Sequence, residues 1–478
     1  MQIPFGWFQK EGHIYNRFVP RNLAQVLFIL VLILFAVFVP FIASGYSELH
    51  KAATSNSYVE MAQHYQNAAL RIPWRADLYE LSGHAFYHAK EYGQADALYQ
   101  KAFDHHAFSP QGWVAWGDVN YLKDDQKRAT KIWEQALEQK NPSDQLYSRL
   151  AAIDESDGDI SKAAEDLKKY VSTHGENASA HYRLGLLLTL SDPNQALSEL
   201  ISASQLDPEL DPAVQTLRTT LNLALLNSST SARLVIIGRG LGLVNEWKLA
   251  RAAFEQAVNA DQKNAEAWAW LGEANQQMGA KGNKQLDQAL KLNPNSPTVR
   301  GLRGLSFQRT SNFRQALTEF QAASKLEPKN PTWFVSLGES YAKLGDLIKA
   351  LEAYQMATTL APDDPSYWRL LAIFCGQNNV NVKDVGVPAA QKAVVLSKDD
   401  PASLDVLGWL LLMDSRYADA EKMFTHALQL DSQNASVHLH LGMLYLQMDN
   451  RASAYDHLVK ARDLGNTEAD MVLKQYFP

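Results

Sequence analysis

Two adjoining segments of this chain, "PTVRGLRGLSFQRTSNFRQALTEFQAASKLEPKN" at 297–330 and "PTWFVSLGESYAKLGDLIKALEAYQMATTLAPDD" at 331–364, align without a gap over 34 residues. A repeat of this length constrains the fold because every unit must offer the same faces to its neighbours. Gly338 matches Gly304, Tyr341 matches Phe307, Ala350 matches Ala316, and Tyr354, Ala357 and Pro362 match Phe320, Ala323 and Pro328. Counted from the glycine, the pattern is an aromatic at +3, alanine at +12, an aromatic at +16, alanine at +19 and proline at +24. Leu337, Gly338 and Tyr341 share a face of a first helix, and Ala350, Tyr354 and Ala357, at i, i+4 and i+7, share a face of a second. Small residues let the helices approach and aromatics fill the space beside them. The proline ends the second helix by removing a donor and clashing with the preceding turn. One such hairpin cannot bury its apolar face alone, so the units must stack.

The same phase recurs at Gly83, Gly117, Ala151, Gly185, Gly238, Gly272, Gly304, Gly338, Ala372, Gly408 and Gly442, which makes eleven repeats. Two residues are missing between Gly272 and Gly304, and two are added between Ala372 and Gly408. The 53-residue interval from Gly185 to Gly238 leaves room for an extra helix and a polar loop, and marks a boundary between four repeats and seven. The pattern resembles the tetratricopeptide repeat family. That resemblance implies an all-α fold, a right-handed superhelix or α-solenoid, that holds protein or peptide partners in a concave groove.

Ahead of the repeats, Leu23 to Ala43 reads "LAQVLFILVLILFAVFVPFIA", with no charge. As a helix it is about 30 Å long, enough to cross a bilayer core. A buried core helix and a cleaved signal peptide are the alternatives; the latter expects a shorter apolar region and small residues where Phe41 and Ile42 stand. Pro40 lies near the exit. Lys10, Arg17 and Arg21 precede the span and only Lys51 follows within twenty residues, which places the N-terminus in the cytoplasm and the repeats outside it. Trp7, Phe8, Tyr15 and Phe18 suit the interface. The expected organisation is a cytoplasmic tail at 1–22, a transmembrane helix at 23–43, capping helices at 44–75, four repeats at 76–209, a helix and linker at 210–230, seven repeats at 231–466 and a capping helix at 467–478.

Little in the chain points to catalysis. The stretch "LVIIGRGLGLVNEW" suggests a phosphate loop, but Gly238 is a repeat anchor with Leu241, Ala250, Phe254 and Ala257 in phase, and Leu243 stands where a third glycine is needed. The additional glycines each cost about 1 kcal/mol in a helix interior, which predicts a weaker segment over 208–245. The single cysteine, Cys375, excludes a disulfide framework and falls at a packing position. A net charge of −7 with no basic cluster offers nucleic acid no footprint. Asn177, Asn227 and Asn434 head Asn-x-Ser/Thr triplets at about the frequency chance allows. No cofactor or metal is expected.

Candidate binding residues follow from the resemblance, which places offsets +1 and +5 in the groove. The C-terminal repeats present Ile373, then Trp409, Leu412 and Met413, then Leu439, Met443 and Leu446, an apolar run suited to a protein partner. The alternative is that the chain's own tail, "MVLKQYFP", covers this patch. His84, Tyr87 and His88 form a second choice; His84 and His88 are four apart, a metal-compatible spacing for which solvated groove residues are the simpler reading. Chaperone-tail receptors of the family carry a lysine and asparagine clamp at −3 and +1. Here those offsets hold Val114 and Asp118, Val335 and Glu339, and Arg369 and Ile373. The resemblance therefore favours an anchored scaffold for assembly of a membrane or envelope complex, with an accessory subunit of an envelope enzyme or a cytoplasm-facing receptor as alternatives.

Overall fold

The computed structural model describes residues 21–106 and 108–477, and among the described residues there are helices and no strand. Helix α1 (Arg21–Thr54) is followed by α2 (Tyr58–Arg71). Next come α3 (Asp77–His88) with α4 (Tyr92–Asp104), and α5 (Pro110–Leu122) with α6 (Gln126–Leu137). They are followed by α7 (Gln145–Asp157) with α8 (Ile160–Thr173), then α9 (Ala178–Leu188) and α10 (Pro193–Leu206). Helix α11 (Asp211–Leu225) precedes α12 (Thr230–Leu243) with α13 (Trp247–Ala260), and α14 (Ala265–Gln277) with α15 (Asn283–Leu292). The series continues with α16 (Pro297–Arg309) and α17 (Phe313–Leu326), α18 (Pro331–Lys343) and α19 (Leu347–Leu360), and α20 (Pro365–Gln377) and α21 (Val387–Ser397). It closes with α22 (Pro401–Met413) and α23 (Tyr417–Leu430), α24 (Ala435–Gln447) and α25 (Arg451–Asp463), and α26 (Thr467–Tyr476). The chain divides into two compact units, one running to Ser191 and including Ser198–Pro208, the other made of Asp192–Leu197 and the residues from Glu209 onward. The architecture is an all-α solenoid of helical hairpins.

The recurrence at +16 has a geometric cause. A β-carbon on Gly338 would stand 2.8 Å from Tyr354 Cε2, and one on Gly238 or Gly304 would stand 2.5 Å from the ring of Phe254 or Phe320. The aromatic of the second helix lies directly on the anchor of the first, so the hairpin closes only where the anchor is small. Ala357 and Ala323, at +19, have no exposed surface.

Among the described residues, ten of the eleven first helices end alike. At +7 the backbone turns left-handed, at Lys90, Asp124, Gly158, Asn245, Gly279, Ser311, Gly345, Asn379, Ser415 and Asp449. The next amide donates back to the carbonyl at +3, as Asn312 does to Phe307 at 2.8 Å and Asp346 to Tyr341 at 3.0 Å. This six-residue closure satisfies a carbonyl the helix end leaves open. The following first helix starts from an oxygen-bearing cap: Asn330 accepts from the Thr332 amide at 3.1 Å and Asp364 from the Ser366 amide at 2.8 Å. Asn177 and Asn434 serve as such caps too.

Departures from the repeat are absorbed locally. The two-residue insertion forms a π-helical turn, Val382–Gly386, entered through Asn381 at φ 47°. Buried Cys375 lies against Gly386, and burial pushes its thiol up to about 11. The glycines outside the repeat phase also have a use. Thr220 of α11 occupies the space a β-carbon on Gly240 would need, and one on Gly242 would stand 2.9 Å from the Trp247 ring. Both glycines therefore permit close packing of an unbroken helix. Farther along, Glu319 accepts from Arg300 at 2.8 Å and Arg303 at 2.9 Å, and Arg303 also reaches Asp287 at 3.0 Å, tying α15, α16 and α17 together.

Helix α1 exceeds the apolar segment that starts it. None of its most apolar window is buried inside the protein, and Phe28 and Phe35 are each 64% exposed, which excludes the core-helix alternative. The helix is long and apolar enough for a single-pass anchor. It continues through Pro40 to Thr54, and its last turns pack on α2. A β-carbon on Gly45 would stand 2.5 Å from Ile72 Cγ1. Glu48, buried beside that contact, pairs with Lys51 at 2.9 Å, His64 at 2.7 Å and Arg71 at 3.2 Å. The charges Lys10 and Arg17 and the aromatics Trp7, Phe8, Tyr15 and Phe18 lie outside the described residues.

Candidate functional site

The seven apolar candidates occupy three successive first helices, and the structure gives them different surroundings. Leu439 is 3% exposed and belongs to a cluster with Leu458, Ala461, Ala469 and Leu473, against which Met443, Leu446 and Phe477 also pack. Three of the seven thus lie beneath α26. That helix is capped by Asn466, which accepts from the Glu468 and Ala469 amides at 3.0 Å, and Arg451 donates to the Tyr476 carbonyl at 2.5 Å. Helix α26 thus packs on this part of the patch, as a capping helix of a stack would.

The middle of the patch is also engaged. Trp409 stacks on His440 with ring centroids 5.9 Å apart, and its ring lies over Gly376, where a β-carbon would stand 2.5 Å away. His440 meets Asp405 at 2.7 Å, and Asp405 also accepts from the Ser436 hydroxyl at 2.6 Å. Trp409 is therefore a packing contact between repeats. Leu412 is buried and Met413 is 37% exposed. Periodicity places all of these residues on one helix face, and cannot tell a face open to a partner from one filled by the neighbouring repeat.

Ile373 has a different setting. It lines a cleft of about 450 Å³ between α18 and α20 with Val335, Glu339, Lys343, Leu370 and Gln377. Tyr354 and Phe374 close its floor with rings stacked at 4.9 Å. Burial, with Glu339 adding to it, pushes the Tyr354 hydroxyl up to about 12, so it stays a neutral donor and acceptor. Glu339, Lys343 and Gln377 sit at offsets +1 or +5 and are exposed. An apolar pattern does not include Lys343 and Gln377; their +5 offset is the signal that marks them.

At the other end, His84 is held inside the fold. Its Nε2 lies 3.3 Å from Glu80 and its Nδ1 lies 2.9 Å from the Tyr99 hydroxyl. Glu80 also accepts from the Ser109 amide at 2.8 Å and from the Ser109 hydroxyl. Burial raises the Glu80 pKa, but His84 and Ser109 outweigh it and hold the carboxyl below its usual value. Tyr87 is half-buried; His88 is exposed, with its ring tilted against Tyr58 at a centroid distance of 5.3 Å. The two histidines thus do different work. Among the described residues, no group of three or more His, Cys, Asp or Glu side chains is placed to hold a metal.

Two segments match tetratricopeptide repeat family models, residues 302–365 and 411–473. Among curated proteins nothing matches the sequence. Solved structures similar to it include yeast Tom70, at 16% identity and TM-score 0.40, covering 77% of this chain and 94% of that one. Another is Cut9-Hcn1, an APC/C hetero-tetramer, at 17% identity and TM-score 0.39, with 84% and 96% covered. A third is pilF of Pseudomonas aeruginosa, at 19% identity and TM-score 0.37, with 45% and 98% covered. With small anchors under second-helix aromatics, a recurring left-handed corner and two segments that match the family, the chain is a helical solenoid of protein-interaction type that carries tetratricopeptide repeats at 302–365 and 411–473.

Proposed function

We propose that this chain is a non-catalytic, membrane-anchored scaffold that binds an extended protein segment in the α18–α20 cleft and supports assembly of a membrane or envelope complex. The cleft carries the reading: it joins apolar walls from Val335, Leu370 and Ile373 to the exposed charges of Glu339 and Lys343, a mixture that suits a peptide's side chains and backbone together. The span at 23–43 supplies the anchor, and the excess of Lys10, Arg17 and Arg21 over Lys51 sets the N-terminus in the cytoplasm with the repeats outside.

A photo-crosslinking side chain at Ile373 should capture a protein in native membranes, whereas one at Ile348, 75% exposed on α19, should not. Equal capture from both positions, or none from Ile373, would remove the cleft as the binding surface. Protease added to spheroplasts should digest the repeats without membrane lysis. Protection of the repeats would instead favour the cytoplasm-facing receptor.

A further inference from the structure

The turn that follows α2 is brought back to the point where α1 leaves its apolar segment. Gly45 is two residues beyond Ala43, about 3 Å along a helix axis, and a β-carbon on it would stand 2.5 Å from Ile72 and 3.0 Å from Arg71. Around this junction three large side chains face outward: Leu70 is 62% exposed, Trp74 60% and Tyr46 51%. Tyr46 is near enough to Arg75 for the two to interact electrostatically, and Arg75 itself is paired with Asp77 at 2.7 Å. Arg71 is paired with Glu48. Arg71 and Arg75 beside the patch thus each have a carboxylate partner, and Pro73 leaves the turn one backbone donor fewer to hydrate.

We infer that Leu70, Trp74 and Tyr46 form a second membrane contact, seating the turn at 72–76 in the headgroup region of the bilayer that α1 crosses. The inference rests on reading residues 23–43 as a span. Tryptophan and tyrosine favour this region because each has an apolar body and a polar tip. Tyr46 lies on α1 itself, three residues beyond the apolar segment, and Gly45 beside it meets Ile72 and Arg71 at the turn, so lipid is the occupant already at hand. Pairing in sequence does not reveal it, since 28 positions separate Tyr46 from Trp74.

Depth-dependent quenching tests this on the full chain in phosphatidylcholine vesicles. Cys375 is buried with its thiol pushed up to about 11, so an environment-sensitive maleimide dye can be directed to an introduced cysteine. Dye on Leu70→Cys should be quenched by headgroup-region nitroxide lipids as strongly as dye on Ser44→Cys. It should be quenched severalfold more than dye on Lys90→Cys, at the far end of α3. Dye on Val37→Cys reports the span itself and should respond to acyl-chain nitroxides. Leu70 dye behaving like Lys90 dye while Val37 dye is quenched would overturn the second contact and leave the span intact. Blue-shifted but unquenched Leu70 emission would assign the patch to a second copy of the chain, and overturn it likewise. Unquenched Val37 dye would remove the span, and the inference with it.

Discussion

Asp96 is 7% exposed, accepts from the Trp116 indole at 2.8 Å, the Asn120 amide at 3.2 Å and Lys123 at 2.7 Å, and forms an ion pair with Arg128 at 3.1 Å. Burial by itself raises its pKa; the three donors and the Arg128 charge together outweigh burial and hold the carboxyl below its ordinary value of 3.8. A carboxyl lowered in the folded state stabilises above its unfolded pKa, and that contribution is lost as pH falls through the folded value. Asp96→Asn should therefore cost about 1–3 kcal/mol at neutral pH, toward the lower end because Lys123 and Arg128 are partly hydrated. Urea unfolding from pH 7 down to pH 3 checks this: the variant should lose less stability than the parent on acidification, and equal losses would show that Asp96 is not the titrating group. The sequence made the repeated alanines and aromatics legible because eleven copies reinforce them. Asp96 and Glu80 occur once each in their surroundings, so neither their burial nor their partners showed.

At the scale of helices, the repeat phase anticipated the hairpins but attached no benefit to Gly240. Its cost in a helix interior was readable from one residue type, whereas its role depends on Thr220, in a different helix. Gly240→Val should force α11 and α12 apart, an overpacking expected to cost about 1–3 kcal/mol. Amide exchange in α11 and α12 should accelerate; exchange as slow as in the parent would mean that the two helices do not meet at this glycine. The corner at +7 escaped notice for another reason. Lys, Asp, Gly, Asn and Ser all occupy it, because the closure uses backbone groups and asks of the side chain only tolerance of a left-handed residue. The π-helical turn was visible as two extra residues, with nothing to say how they would be wound.

For the molecule as a stack of repeats, the end units decide what is open. Leu439, Met443 and Leu446 looked like binding residues because they are apolar at groove-facing offsets, and α26 packs against the same cluster. Deleting 467–478 should uncover them and lower the melting temperature, with faster amide exchange in α24 and α25 that fades toward α18, as nearest-neighbour stacking requires. Uniform acceleration across the second unit, or none, would contradict that picture. The cleft at Ile373 was half legible: the offset identified the face, and only three-dimensional packing separated it from the filled surfaces beside Trp409. The passage of α1 into the first hairpin has a mechanical meaning as well. A spanning helix answers a thinner bilayer by tilting, and one continuous to Thr54 and clasped by α2 through Gly45 and Glu48 carries that hairpin with it. For an α1 that spans a bilayer, the bilayer's thickness would then set the angle at which the first repeats are presented.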